Sequence, residues 1–411
     1  MSYKTTINIF LLSNVALVDF FSLGVVLTCF APLFLSSHGV FENSLVTADR
    51  LYWLGIALAM APLGQLISTS VLGALSDLYG RKKLLLITLL GSVCSLLIVI
   101  YGIDEQALLF VLLGRFLTGL FSGNVSIAQA SLADMTKIAA LKAWRFNFLQ
   151  IGIGLGMLLG PLLGSKLIDQ SSPAGFTLPF YLALALMIIE LFLIVFCYQE
   201  TLPTATEDKV NKLAGINWLF GIKQIGAAFK AKGIRDLLIA WFIFMLGWEF
   251  YVQFFTNFLQ EGKLAFSANE IGNLFAYLGL VYLCCQVIIV QPSTRLFLAR
   301  KVMVPASVAV AMFIFLMGFA TTKDYIYVMI TVYIISMAIF IPNFNAVLSE
   351  NAQACYQGTV FGMSVSLHAL STVIITSLGG VLIAYNVQLP LLGGGLLIGL
   401  ASIILAMTRM K

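Results

Sequence analysis

Gly73-Ala74-Leu75-Ser76-Asp77-Leu78-Tyr79-Gly80-Arg81-Lys82-Lys83 is a short polar hairpin between two long apolar runs. Gly80 supplies turn chemistry, because glycine enters backbone conformations closed to other residues. Three consecutive cations follow it, and one acid, Asp77, sits at the end of the preceding run. Such a connection suits a pair of helices embedded in a bilayer. The charges stay in water, and both arms stay in hydrocarbon with their backbone groups satisfied internally. A loop that only fixes topology needs the cations alone. Gly73, Asp77 and Gly80 add nothing to that signal and point to a further role.

Composition agrees with a membrane protein. Of 411 residues, 60% are hydrophobic and 10% charged, and the mean hydropathy is +1.01. That leaves too little polar surface to cover a soluble globule. The net charge of +5 therefore reads as membrane topology, and no basic face or tail indicates nucleic-acid binding. Cys29, Cys94, Cys197, Cys284, Cys285 and Cys355 fall in apolar runs or at their ends, with no CxxC pair and histidine partners. Neither a disulfide framework nor a metal site is expected. The first apolar run is too long for a signal peptide and lacks a small-residue cleavage site, so it is expected to remain as a helix.

A helix crosses the hydrocarbon core with about 20 apolar residues. Twelve runs qualify, at 8–35, 51–76, 83–102, 107–133, 144–169, 177–198, 236–260, 268–291, 301–321, 324–348, 357–384 and 388–408. Lys and Arg set their orientation. Of 23 such residues, only Arg50, Lys166, Lys263 and Lys323 fall on the side away from the Asp77 hairpin, and Arg115 lies inside a run. The hairpin side and both termini are therefore expected in the cytoplasm.

One long polar segment, Gln199 to Arg235, divides the runs into two sets of six. This gives a first bundle over 1–198, a linker over 199–235 and a second bundle over 236–411. Within the linker, Trp218-Leu219-Phe220-Gly221-Ile222-Lys223 opens an amphipathic piece suited to the inner leaflet, with a plain linker as the alternative. The halves echo each other weakly: Gln65–Lys82 and Gln286–Lys301 are both runs ending in a basic hairpin, although Gln291-Pro292-Ser293-Thr294-Arg295 has no acid. Ser267-Ala268-Asn269-Glu270 has the spacing of a capping box. The expected fold is all-α, with twelve transmembrane helices in two pseudo-symmetric six-helix bundles.

Charges inside a bilayer are costly and default to functional hypotheses. Asp19, Arg115, Glu190 and Glu249 stand out within the runs, with His368 as a titratable neutral residue. At 1.5 Å per residue, Asp19 lies roughly 17 Å up the first run and Arg115 roughly 12 Å down the fourth from the opposite side. In a core about 30 Å thick these depths coincide. The two are thereby placed to pair, either as a proton-exchanging couple or as a structural ion pair. Glu249, beside Trp248 and Tyr251, lies roughly 20 Å into the seventh run, so each half carries an acid at similar depth. An acid near an arginine exchanges a proton as its surroundings alternate, because pairing favours its charged form and dry burial its neutral form. His368 reads either as a proton relay or as a packing histidine. Gln65, Asn124, Gln150, Gln286 and Asn345 are uncharged polar residues, each either a ligand contact or an interhelical hydrogen bond.

Enzyme readings fail. His38 and His368 are the only histidines, so no HExxH zinc site exists. Gly160-Pro161-Leu162-Leu163-Gly164-Ser165-Lys166 is one residue short of a phosphate loop and lies inside a membrane run. No cofactor is expected.

The hairpin resembles the signature loop between the second and third helices of the major facilitator superfamily, G-x-L-x-D-x-x-G-R-[KR]-x, with every fixed position filled. Arg115-Phe116-Leu117-Thr118-Gly119 is similar to the family's fourth-helix R-x-x-x-G motif, and Ala133-Asp134 to the pair that follows it. There the family acid joins a cytoplasmic charge network, whose partners here would be Arg81 and Arg145. Gly156-Met157-Leu158-Leu159-Gly160-Pro161-Leu162-Leu163-Gly164 resembles the fifth-helix G-x-x-x-G-P-x-x-G pattern associated with exporters and antiporters, or else is a packing motif. Glu200-Thr201-Leu202, Ile341-Pro342 with Asn345-Ala346, and Asp19 with Gly24 resemble the drug-antiporter branch, which includes tetracycline/proton antiporters. The proline usual nine residues after the first-helix acid is Thr28 here.

The resemblance implies a proton-coupled secondary transporter that exports a small lipophilic or amphiphilic compound by alternating access. It implies an inner-membrane location and a monomer whose partners are substrate, protons and lipid, and the short loops point to a bacterial source. Asp19, Glu249, His368 and Glu190 are the proton-coupling candidates. Since the family's sixth helix faces outward, Glu190 reads first as a helix-contact or snorkelling acid. Arg115, Gln65, Asn124, Gln150, Trp248, Gln286 and Asn345 are substrate-cavity candidates. Gly73, Asp77, Gly80, Arg81, Lys82, Asp134 and Arg145 would form a conformational switch. Uptake of a nutrient or a metal-chelating metabolite is the alternative within transport, and a non-transporting receptor or scaffold the alternative outside it.

Overall fold

A computed structural model describes residues 3–35, 40–41, 47–136, 138–168, 173–202, 232–261, 264–290, 292 and 298–408. In hydrocarbon a lone apolar run has no water to satisfy its backbone, so each closes its hydrogen bonds along itself as a helix. The first half contains α1 (Tyr3–Leu35), α2 (Thr47–Tyr79), α3 (Arg81–Asp104), α4 (Leu108–Leu120), α5 (Asn124–Asp134), α6 (Ala139–Leu167) and α7 (Leu178–Cys197). The second contains α8 (Lys232–Glu261), α9 (Ala268–Cys285), α10 (Ala299–Met317), α11 (Lys323–Asn351), α12 (Gln357–Tyr385) and α13 (Leu389–Met407). Among the described residues, 12 segments are long and apolar enough to cross a membrane, with α4 and α5 forming one of them. Their ends fall within a few residues of the apolar runs. The expected amphipathic piece at Trp218 lies outside the described residues, as do Gln291 and Ser293–Arg295 of the basic hairpin in the second half.

Two spans differ from a continuous helix. The fourth is interrupted by a turn at Phe121–Gly123, where Ser122 Oγ donates to Gly119 O at 2.6 Å. A serine that bonds back into its own helix between two glycines weakens the ladder at that point. The eighth ends in a π-helical turn, Gln286–Val290, and Asn147 Nδ2 from α6 donates to Gln286 O at 2.9 Å. π-turns shift the hydrogen-bond ladder by one residue and often mark functional sites. Ser267 does form the capping box of α9: its side chain accepts from Glu270 N, and Glu270 returns an oxygen to Ser267 N at 2.8 Å.

Helices pack within each set of six spans and between the sets. In the first, α1 packs on α6 and α7, and α2 and α3 pack on α4. In the second, α8 packs on α12 and α13, and α10 on α11 and α13. The sets meet where α2 and α5 contact α12, and where α6 contacts α9 and α11. Along α1·α6 the backbones nearly touch. A Cβ added at Gly152, Gly156 or Gly160 would stand 2.2, 2.4 or 2.4 Å from the carbonyls of Ser13, Leu17 and Phe21, and one at Gly164 would stand 2.7 Å from Thr28 Oγ1. Pro161 packs its ring against Gly24 in the same seam. Helices in lipid associate largely by such close packing, which small residues permit.

Candidate functional site

At one end of the molecule the hairpin ties the halves together. Gly80 takes φ 97°, which favours glycine. Its neighbour Arg81 is fully buried and reaches both acids, Asp77 at 2.7 Å and Asp134 at 2.8 Å. Arg81 also donates to Ser76 Oγ at 2.6 Å. Asp77 in turn caps α12 of the other half: Gly358 N donates to Oδ1 at 2.8 Å, and Thr359 donates through N and Oγ1 to Oδ2, each at 2.7 Å. A carboxylate at a helix N-terminus satisfies orphan amides and meets the positive end of the helix dipole. Backbone approach makes this possible, since a Cβ on Gly73 would lie 2.1 Å from Gly358 O. Thr69 Oγ1 meets Ser366 Oγ at 2.6 Å one turn further in.

Glu200 completes this end, a role the sequence reading did not assign. It accepts from Arg81 N and Lys82 N, both at 3.0 Å, and so caps α3. Lys82 Nζ donates to Val195 O at 2.9 Å and Tyr198 O at 2.7 Å, closing the C-terminus of α7. Arg145 departs from expectation. Rather than joining Asp134, it donates to Met135 O at 2.6 Å and Thr136 Oγ1 at 2.9 Å. The chain turns just after α5, so Arg145 meets the orphan carbonyls there before it can reach the acid.

In the second half the structure joins two candidates that sequence treated separately. Glu249 of α8 and His368 of α12 lie 2.8 Å apart, Oε1 to Nε2. The glutamate side chain is 4% exposed and the histidine 36%, so His368 borders open space with the acid behind it. Gln253, one turn along α8, donates to Glu249 Oε2 at 3.1 Å. Trp248 lies beside His368, with ring centroids 5.4 Å apart, and donates to Tyr333 OH at 2.8 Å. Gln253 was legible as the i+4 neighbour of Glu249 on one helix face. Tyr333, from a distant run, carried no such signal.

In the first half the expected Asp19–Arg115 pair does not form. Asp19 accepts from Asn124 Nδ2 at 3.0 Å, whereas Arg115 lies over the Phe30 ring, 5.3 Å from its centroid. The helices run antiparallel, so Phe30 opposite Arg115 and Asp19 opposite Asn124 define a single register. Asp19 and Phe30 are eleven residues apart, roughly 16 Å of helix. Depths counted from the ends of runs misled because α1 is 33 residues long, well beyond the thickness of the core. Arg115 is buried, and its Nε has no hydrogen-bond partner among the described residues. Glu190 corrects the snorkelling reading. It is 3% exposed and points into the bundle, with neither carboxylate oxygen partnered among the described residues.

The uncharged candidates divide. Gln150 Oε1 accepts from Tyr282 OH at 3.0 Å, bridging α6 and α9 across the halves. Gln286 is buried at the π-turn, and Asn345 is buried on α11. Gln65 is half-buried on α2, and the antiparallel register set by Gly73 with Gly358 and Thr69 with Gly362 brings it level with Ser366–His368.

Two bundles of six spans, locked by a charged hairpin at one end and carrying titratable groups halfway along, define a membrane transporter. Residues 9–376 match the Major Facilitator Superfamily, and the chain belongs to that family. It is similar to the class B tetracycline resistance protein of Escherichia coli, 25% identical over 401 residues that cover 96% of this chain and 94% of the relative. It is also similar to multidrug resistance protein 2 of Bacillus subtilis, 24% identical over 95% of this chain and 92% of the relative. Among solved structures, the human organic anion transporter MFSD10 shares the fold with a TM-score of 0.81 at 19% identity, over 98% of this chain and 100% of that one. The protein is a multi-pass membrane transporter of small molecules rather than an enzyme.

Proposed function

We propose that the protein exports a small lipophilic or amphiphilic compound in exchange for protons, by alternating access between its two halves. The observation that carries this reading is the Glu249–His368 pair. When a proton enters from whichever side is open, the imidazole that borders open space and the carboxylate behind it are the pair that takes it up. Bound substrate beside Trp248 competes with that protonated state, which exchanges one for the other. In this state the hairpin end is shut by the Asp77 cap on α12, and opening it means parting those bonds. The distribution of Lys and Arg supports a cytoplasmic hairpin end and cytoplasmic termini. The bacterial resistance proteins among its relatives support export across an inner membrane. Nothing in the cycle calls for a second copy of the chain, so the proposed unit is a monomer.

The test is accumulation of tetracycline by everted membrane vesicles under an imposed pH gradient. Glu249→Gln and His368→Ala are expected to abolish gradient-driven accumulation while leaving counterflow in the absence of a gradient. Full gradient-driven accumulation in both variants would remove the pair from coupling. Arg115 favours a second reading. A buried guanidinium over an aromatic ring, with Nε unpartnered among the described residues, suits an anionic group, and one structural neighbour is an organic anion transporter. A fluorescent organic anion run beside tetracycline, with Arg115→Gln as the variant, separates the two.

A further inference from the structure

We infer that Glu190 is a second proton-carrying residue, which stores one proton behind Asp19 and exchanges it with that residue. This extends the proposed proton coupling to the first half. Position comes first. Phe30 and Phe180 meet with ring centroids 6.1 Å apart, and α1 and α7 run antiparallel. Eleven residues back from Phe30 is Asp19, and ten residues on from Phe180 is Glu190. At 1.5 Å per residue the two acids come level to within about 2 Å, on helices that pack on each other. Asp19 is half-buried and Glu190 fully buried, so of the two Asp19 is the more open to exchange.

Charge comes next. An unpaired carboxylate in a dry interior takes a proton rather than remain ionised. Two neighbouring carboxylates hold one proton more readily than none. Among the described residues, the helices packed on α7 bring no cation to this level. On α1 the nearby titratable groups are Asp19 and Cys29. On α3, Arg81, Lys82 and Lys83 lie at the hairpin end, Tyr101 and Asp104 at the other, and Cys94 on an exposed face. On α6, Lys142 and Arg145 lie at the hairpin end and Lys166 at the other. Tyr181 OH reaches Asp104 at 3.4 Å, and the same register carries Ser95 to the level of Glu190, but Ser95 gives its hydroxyl to Gly91 O. Asn124 offers its amide to Asp19, which suits an ionised Asp19 and leaves the proton on Glu190. The balance is simple: one proton and one negative charge are shared by two carboxyl groups. Transfer from Glu190 to Asp19 moves the proton to the wall without changing the total.

Infrared spectroscopy of the purified protein at neutral pH reads the stored proton directly as a carboxylic-acid C=O band. The expected result is a band that Glu190→Gln removes, Asp19→Asn retains and Glu190→Asp restores at a shifted position. In everted vesicles Glu190→Gln is expected to keep tetracycline counterflow and lose most gradient-driven accumulation. A band unchanged by Glu190→Gln, or full gradient-driven accumulation in that variant, would overturn the inference. The infrared arm needs no substrate, so a protein that ignores tetracycline fails the proposed function without deciding this site.

Discussion

Each half buries a carboxylate among its helices, Glu190 in the first and Glu249 in the second, but the two are not held alike. In the second half Glu249 is satisfied by His368 and Gln253. In the first, Glu190 lies behind Asp19 with no partner among the described residues for either oxygen. A base-and-acid couple prefers to be charged together; two acids prefer a single shared proton. Buried carboxylates of the two halves are therefore held in two chemically different ways. The hairpin end supplies the reference case, because there Arg81 pairs with two buried acids and both oxygens of Asp77 are engaged, while Asp134 is held through Oδ2 alone.

The largest expected effect lies at that reference. Arg81→Ala takes the cation from two buried acids, leaving Asp134 without its partner and Asp77 with only its bonds to Gly358 and Thr359, and removing one member of a buried pair costs about 3–5 kcal/mol. Thermal unfolding of the purified protein in detergent should show the loss. A change no greater than that of Lys83→Ala would mean that the hairpin acids are as tolerant of isolation as Glu190, and the contrast between satisfied and unsatisfied acids would collapse. His368→Ala comes next. It removes the partner of Glu249, yet Gln253 still donates and the histidine is partly exposed, so the expected loss is about 1–3 kcal/mol. An unchanged unfolding midpoint would show that Glu249 is content without the imidazole, which would bring it close to the condition of Glu190.

Sequence reveals the twelve spans because length and hydropathy are local properties, and it reveals the hairpin because its residues are contiguous. It does not reveal which side chains meet across helices. Asp19 and Arg115 look matched when depth is counted from the ends of runs, but a 33-residue α1 and the register set by Phe30 and Arg115 part them. Glu249 and His368 are each visible, while their pairing depends on how α8 and α12 rotate about their axes. Glu190 reads as outward-facing from its place on the sixth span and proves inward because that span packs on α1 and α3. Rotation and register are tertiary quantities, and an apolar run with few charges leaves both underdetermined.

The smallest effect is also the most discriminating. Glu190→Met replaces a buried acid that has no hydrogen bond among the described residues with an apolar side chain of similar length. Replacing a poorly compensated buried polar group in this way is often neutral or stabilising, so the change is expected within about 1 kcal/mol of zero and on the stabilising side. Glu249→Met, the same substitution in the other half, removes the acceptor of both His368 and Gln253 and should destabilise by about 1–3 kcal/mol. Measured together by thermal unfolding, the pair of variants isolates the environment from the chemistry of the substitution. Equal losses would mean that Glu190 is satisfied in solution by a group other than a proton, and the asymmetry between the halves would have to be sought elsewhere. A neutral Glu190→Met beside a costly Glu249→Met would show that one acid sits in its half as a charge and the other as an uncharged reservoir.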